Sequence, residues 1–123
     1  MDWDAFRDRV EADPLLRRLA GGSTFRLLLR RGSDERLISV RDGRIESITE
    51  GPFVMPACDF ALAGSGEAWE RYGRARPAPR DQDPFAFLRR GEMTVEGDTR
   101  KLFAHLLFLK LMLAKMRVPQ APA

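Results

Sequence analysis

The segment GEMTVEGDTRKLFAHLLFLKLMLAKM, residues 91–116, changes its hydrophobic period partway along. Met93 and Val95 alternate with polar neighbours, as on a strand that buries one face. Gly97-Asp98 turns the chain, and Asp98 is placed to cap a helix. From Leu102 to Met116, 12 of 15 residues are apolar. A helix that covers a single core needs an apolar stripe on about half its surface or less. On one continuous helix Leu102, Leu106, Leu109, Leu113 and Met116 form a first stripe. Phe103, Leu107, Leu111 and Ala114 form a second, roughly a third of a turn away. The first stripe can pack on a sheet. The second needs the other helices, a partner subunit or an apolar ligand. Phe108 and Met112 fall on the far side with Lys101, His105 and Lys115, where they read as exposed apolar residues. Beside cations, such residues can also dip into a membrane surface.

The rest of the chain supplies a sheet for that helix. Phe25, Leu27 and Leu29 alternate with Arg26 and Arg30. ERLISVRDGRIESIT, residues 35–49, is a hairpin, with Asp42-Gly43 providing the positive φ angles of a type I′ turn. Residues 58–63, CDFALA, alternate again, with Cys58, Phe60 and Leu62 inward and Asp59 outward toward solvent. Trp3, Phe6 and Val10 recur at helical spacing. Asp13-Pro14 begins a second helix that ends at Ala20 before Gly21-Gly22. GEAWERYG gives a short helix, and Asp83 caps another from Pro84 to Arg90. The order helix–helix–three strands–strand–helix–helix–strand–helix predicts an α+β domain with a five-stranded sheet.

Composition narrows the function classes. The 123 residues suit one domain, with helices over 1–20 and a flexible tail at 118–123. The net charge is +3, from 21 basic and 18 acidic residues of mixed order. Cys58 is the single cysteine, which fits a reducing cytoplasm. The acidic, amphipathic start is unlike a signal peptide, and His105, Lys110 and Lys115 interrupt the C-terminal run too often for a membrane span.

Catalytic chemistry finds little footing. Gly64-Ser65-Gly66 lacks the third glycine of a dinucleotide loop, its place being taken by Trp69. His105 has no acid at helical spacing to orient it and reads as a partly exposed surface residue. Cys58 reads as a small buried hydrophobe. One His and one Cys make no typical zinc site, so no metal or cofactor is expected. The arginine pairs Arg17-Arg18, Arg30-Arg31 and Arg89-Arg90 are offset by neighbouring acids, and no nucleic-acid motif accompanies them.

Residues 82–109, QDPFAFLRRGEMTVEGDTRKLFAHLLFL, resemble the signature region of the sterol carrier protein lipid-transfer domain. The shared pattern is a short helix with Pro and Phe, a Gly, an alternating strand, Gly-Asp and a leucine-rich helix. TFRLLLR, ERLISVRDGRIESIT and CDFALAGSGEAW follow the family's upstream order, so the likeness runs from about Asp13 to Met116. It implies a five-stranded mixed sheet with helices packed over one face and an apolar tunnel between the layers. It also implies non-catalytic binding of a fatty acid, fatty acyl-CoA, sterol-like or other lipid. On that likeness Phe103, Leu107 and Leu111 face the ligand from a lid, and Phe60, Trp69, Phe85 and Met93 are further lining. The chain departs from the pattern in its proline-rich stretch Arg76–Arg80 and its unusually apolar last helix. It lacks the peroxisomal ending of eukaryotic relatives and looks like a stand-alone bacterial member. A transient membrane contact, a homodimer or docking on an enzyme of lipid metabolism are alternative uses of the second stripe.

Overall fold

Asp42 and Gly43 have φ of 48° and 74°, so the hairpin closes as its sequence requires. In the computed structural model, which describes residues 1–19, 22–54 and 57–117, it joins β2 (Asp34–Arg41) to β3 (Arg44–Glu50). The expected helix end at Ala20 and the expected tail 118–123 lie outside those residues. β1 (Phe25–Arg31) pairs antiparallel with β2 and parallel with β4 (Phe60–Gly64), which pairs antiparallel with β5 (Met93–Gly97). The result is one mixed five-stranded sheet of order β3-β2-β1-β4-β5. Register sets Ile38, Leu27 and Phe60 in one row across the sheet. All three are buried, on the face that the helices cover.

The helices are α1 (Trp3–Ala12), α2 (Pro14–Leu19), α3 (Gly66–Tyr72), α4 (Pro84–Arg89), α5 (Thr99–Ala104) and α6 (Leu106–Ala114). Asp2, Ser65, Asp83 and Asp98 each cap a helix, their side chains accepting backbone N–H groups of the first turn. Side chains from both layers form one continuous apolar cluster, including Phe6, Leu16, Phe25, Leu29, Trp69 and Leu109. Each fully buried leucine there contributes about 1.5–3 kcal/mol.

The other face is not bare. The connection from β3 to β4 starts where the Gly51 N–H donates to the Glu35 carbonyl and ends where the Asp59 N–H donates to the Arg26 carbonyl. Those anchors lie at opposite ends of the β1–β2 pair. Leu28, on that face between them, is buried.

Three sequence expectations are corrected here. The last helix is not continuous: it breaks at His105 (φ −111°, ψ 22°), which ends α5 and begins α6. His105 Nδ1 lies 3.2 Å from Ser23 Oγ, and its ring packs 5.5 Å from that of Phe25. These long-range contacts hold the break, which no Gly or Pro announces. Phe108 and Met112, expected to be exposed, are buried. The buried face of α6 takes in Phe108, Leu109, Met112 and Leu113, wider than a single stripe and turned toward the side of His105. Finally, Cys58 and Asp59 precede β4 rather than belonging to it. Cys58 is half-buried. Asp59 accepts the Arg26 N–H at 2.7 Å and pairs with Lys101 at 3.1 Å, so it braces β1 and α5 instead of facing water alone. Gly97 beside it has φ +99°, and a Cβ there would lie 2.6 Å from the Asp59 carbonyl oxygen. Only glycine fits that step.

Candidate functional site

α6 is held firmly at one end. Near its C-terminus Arg9 donates to the Lys115 carbonyl at 2.8 Å, and Lys115 pairs with Asp13 at 2.8 Å. Arg117 donates to the Tyr72 and Gln82 carbonyls at 2.9 and 2.8 Å, and its guanidinium lies 4.4 Å from the Tyr72 ring. Burial pushes the Tyr72 hydroxyl pKa far above its usual value.

The other end, where α5 meets α6, faces α4 across a thinner seam. Phe85 of α4 and Phe103 of α5 have ring centroids 6.4 Å apart. Lys110 of α6 pairs with Asp83 at 3.0 Å and lies 5.2 Å from the Phe85 ring. Both partners of that ion pair are more than a third exposed, so it contributes at most about 1 kcal/mol. Beside the seam Phe103 is 61 % exposed and Leu107 57 % exposed. Leu111 is half-buried on the same side. This is the second apolar stripe of the sequence, and among the described residues nothing covers Phe103 or Leu107.

The seven residues singled out from the sequence do not share one wall. Phe60, Trp69 and Met93 are buried in the cluster between the layers. Phe103 and Leu107 face outward. Phe85 lies between the two groups: it is half-buried, packs against the cluster and meets Phe103. The seam is therefore the place where the outward apolar stripe comes nearest to the apolar interior.

Two further features carry polar chemistry. A recess of about 470 Å³ on the far face of the sheet is lined by Arg26, Ser39, Ser47, Cys58 and Asp59 among others. At the α3–α4 side, Arg71 and Arg90 both bond Glu92, at 2.6 and 2.7 Å, and Arg90 also meets Asp81 at 3.0 Å. The two guanidiniums lie 5.3 and 4.5 Å from the buried Phe87 ring. Sequence alone did not show this network, because its members are up to 21 residues apart. Arg71, and then Arg90, hold the Glu92 carboxyl below its usual 4.5. A carboxylate with a depressed folded pKa adds stability above its unfolded value, and that stability fades as pH falls through the folded value. Glu92→Gln is thus expected to lower Tm at pH 7. The gap to wild type should close as the pH is taken below 4.5, in melts followed by circular dichroism. Among the described residues no three His, Cys, Asp or Glu side chains gather as metal ligands would, and no helix is long and apolar enough to cross a membrane.

No family model matches the sequence, and no curated protein does. Solved structures do match. Sterol carrier protein 2 superposes with a TM-score of 0.74 at 14% identity, over 95% of this chain and 94% of that one. The fold is that of sterol carrier protein 2. A conserved hypothetical protein from Thermus thermophilus, described as possibly a sterol carrier protein, gives a TM-score of 0.68 at 15% identity, over 97% of this chain and 87% of that one. A UbiJ-SCP2 ubiquinone synthesis protein gives 0.58 at 11% identity, over 89% and 90%. In each pair the likeness spans most of both chains.

Proposed function

We propose that this protein binds and carries an elongated apolar ligand, a fatty acid, fatty acyl-CoA, sterol-like or other lipid, by burial and without covalent chemistry. The observation that carries the reading is the outward stripe of Phe103 and Leu107 beside the weakly bridged α4–α5 seam. A domain in water gains nothing for its own stability from two large apolar side chains left exposed. The sterol-carrier-protein fold of the neighbours supports the same use.

On this proposal Phe85, Phe103, Leu107 and Leu111 form the mouth. Phe60, Trp69 and Met93 lie on the interior side, reached when α4 parts from α5 and α6 at the seam. The bridge across the seam is slight, one aromatic pair and one part-exposed ion pair, whereas Lys101–Asp59 and His105–Ser23 keep α5 and the helix break tied to the sheet side. Each methylene moved from water into the mouth yields about 0.8 kcal/mol, so a medium-length acyl chain suffices for micromolar binding. Titration with a fluorescent fatty acid in vesicle-free buffer tests the proposal: saturable one-to-one binding supports it, and a linear, unsaturated signal opposes it.

A further inference from the structure

The surplus positive charge lies in one stretch of the sequence. Residues 99–117 contain Arg100, Lys101, Lys110, Lys115 and Arg117 and no carboxylate. The remainder of the chain holds 16 cations and 18 carboxylates, so the net +3 comes entirely from the α5–α6 segment. Lys101, Lys110 and Lys115 are paired with Asp59, Asp83 and Asp13. Arg100 is exposed on α5, and Arg89 is exposed at the end of α4. Neither takes part in an ion pair among the described residues. Arg100 and Phe103 are three residues apart on α5, on one side of that helix, and Phe103 and Leu107, on either side of the break at His105, are both exposed. Phe85, across the seam from Phe103, is four residues from Arg89. The carboxylates nearest to these two arginines in the chain are engaged: Glu92 by Arg71 and Arg90, Glu96 by Arg30, and Asp98 by the backbone N–H of Lys101 as a helix cap.

We infer that the outward face of α5–α6 docks on an anionic lipid bilayer, with Phe103 and Leu107 entering the headgroup boundary and Arg100 and Arg89 meeting the lipid phosphates. Large apolar side chains flanked by unpaired arginines suit an interface that is oily inside and negative at its rim. A second copy of the chain fits this face poorly, since a two-fold contact would bring the same cations together. The docking stands independently of a bound guest, although it would set the seam against the membrane from which a guest is drawn.

The full-length protein is to be sedimented with large unilamellar vesicles of phosphatidylcholine alone and of phosphatidylcholine with phosphatidylglycerol. The expected result is binding to the anionic vesicles that weakens in high salt. Arg89→Gln and Arg100→Gln should each weaken it about fivefold, and Phe103→Ser with Leu107→Ser should abolish it with the circular dichroism spectrum unchanged. Equal binding to both vesicle types, or binding to neither, overturns the inference. So does a concentration-dependent dimer, seen by sedimentation velocity, that the Phe103→Ser, Leu107→Ser variant makes monomeric. The fatty-acid titration without vesicles separates the two ideas: guest binding without vesicle binding sinks the docking alone, and vesicle binding without guest binding sinks the carriage alone.

Discussion

Leu107→Asp is expected to weaken binding of a fluorescent fatty acid by about 10- to 100-fold while leaving the melting temperature close to wild type. The side chain is 57 % exposed, so its loss removes little from the folded core. In the complex it would be covered by the acyl chain, and a leucine moved fully out of water is worth about 1.5–3 kcal/mol. Each 1.4 kcal/mol is about a factor of ten in affinity, and a carboxylate at the mouth also repels that of the ligand. Leu111→Asp should act in the same direction, with some loss of stability because Leu111 is half-buried. Val54→Asp is the matched control. Val54 is 98 % exposed on the connection from β3 to β4, outside α4, α5 and α6. Equal weakening by Val54→Asp and Leu107→Asp in this titration would remove the seam from the account.

Trp69→Ala is expected to cost about 3–5 kcal/mol in urea denaturation, a large share of the roughly 5–15 kcal/mol that holds a domain of this kind together. Trp69 is buried in the central cluster and meets the Tyr72 ring edge-on at 5.9 Å. Its indole N–H donates to the Arg30 carbonyl at 2.9 Å, tying α3 to β1. Trp69→Phe keeps most of the volume and loses that bond, so it should cost about 1 kcal/mol beyond the small change in packing. A Phe variant as unstable as the Ala variant would show that the hydrogen bond, not the packing, dominates.

Much of this architecture is written in local chemistry. The Asp42-Gly43 turn, the caps at Asp83 and Asp98, and the alternation of Phe25, Leu27 and Leu29 each specify their element through neighbours within a few residues. The elements are therefore legible one by one, and the order of their types points to the sheet. The break at His105 is of a different kind. Leu102 to Met116 has no residue that stops a helix, and the interruption depends on Ser23 and Phe25, about 80 residues earlier in the chain. An unbroken helix with a narrow buried stripe would leave Phe108 and Met112 outside the face that the fold in fact buries. Phe103 and Leu107, which the likeness places against a ligand, stand exposed on the outer side of the layer. The Asp59 brace and the Arg71–Glu92–Arg90 network were invisible for the same reason as the break. A charged residue shows its own exposure preference in the sequence, but its partner is chosen by the fold.

The claim that this domain carries an apolar guest is tested most directly by native mass spectrometry of the protein purified, without detergent, from the cells that make it. The account predicts a population heavier than the bare chain by the mass of one lipid, extracted as such into organic solvent and depleted in Leu107→Asp. A spectrum showing only the bare chain, together with no saturable uptake of added fatty acid, would contradict it.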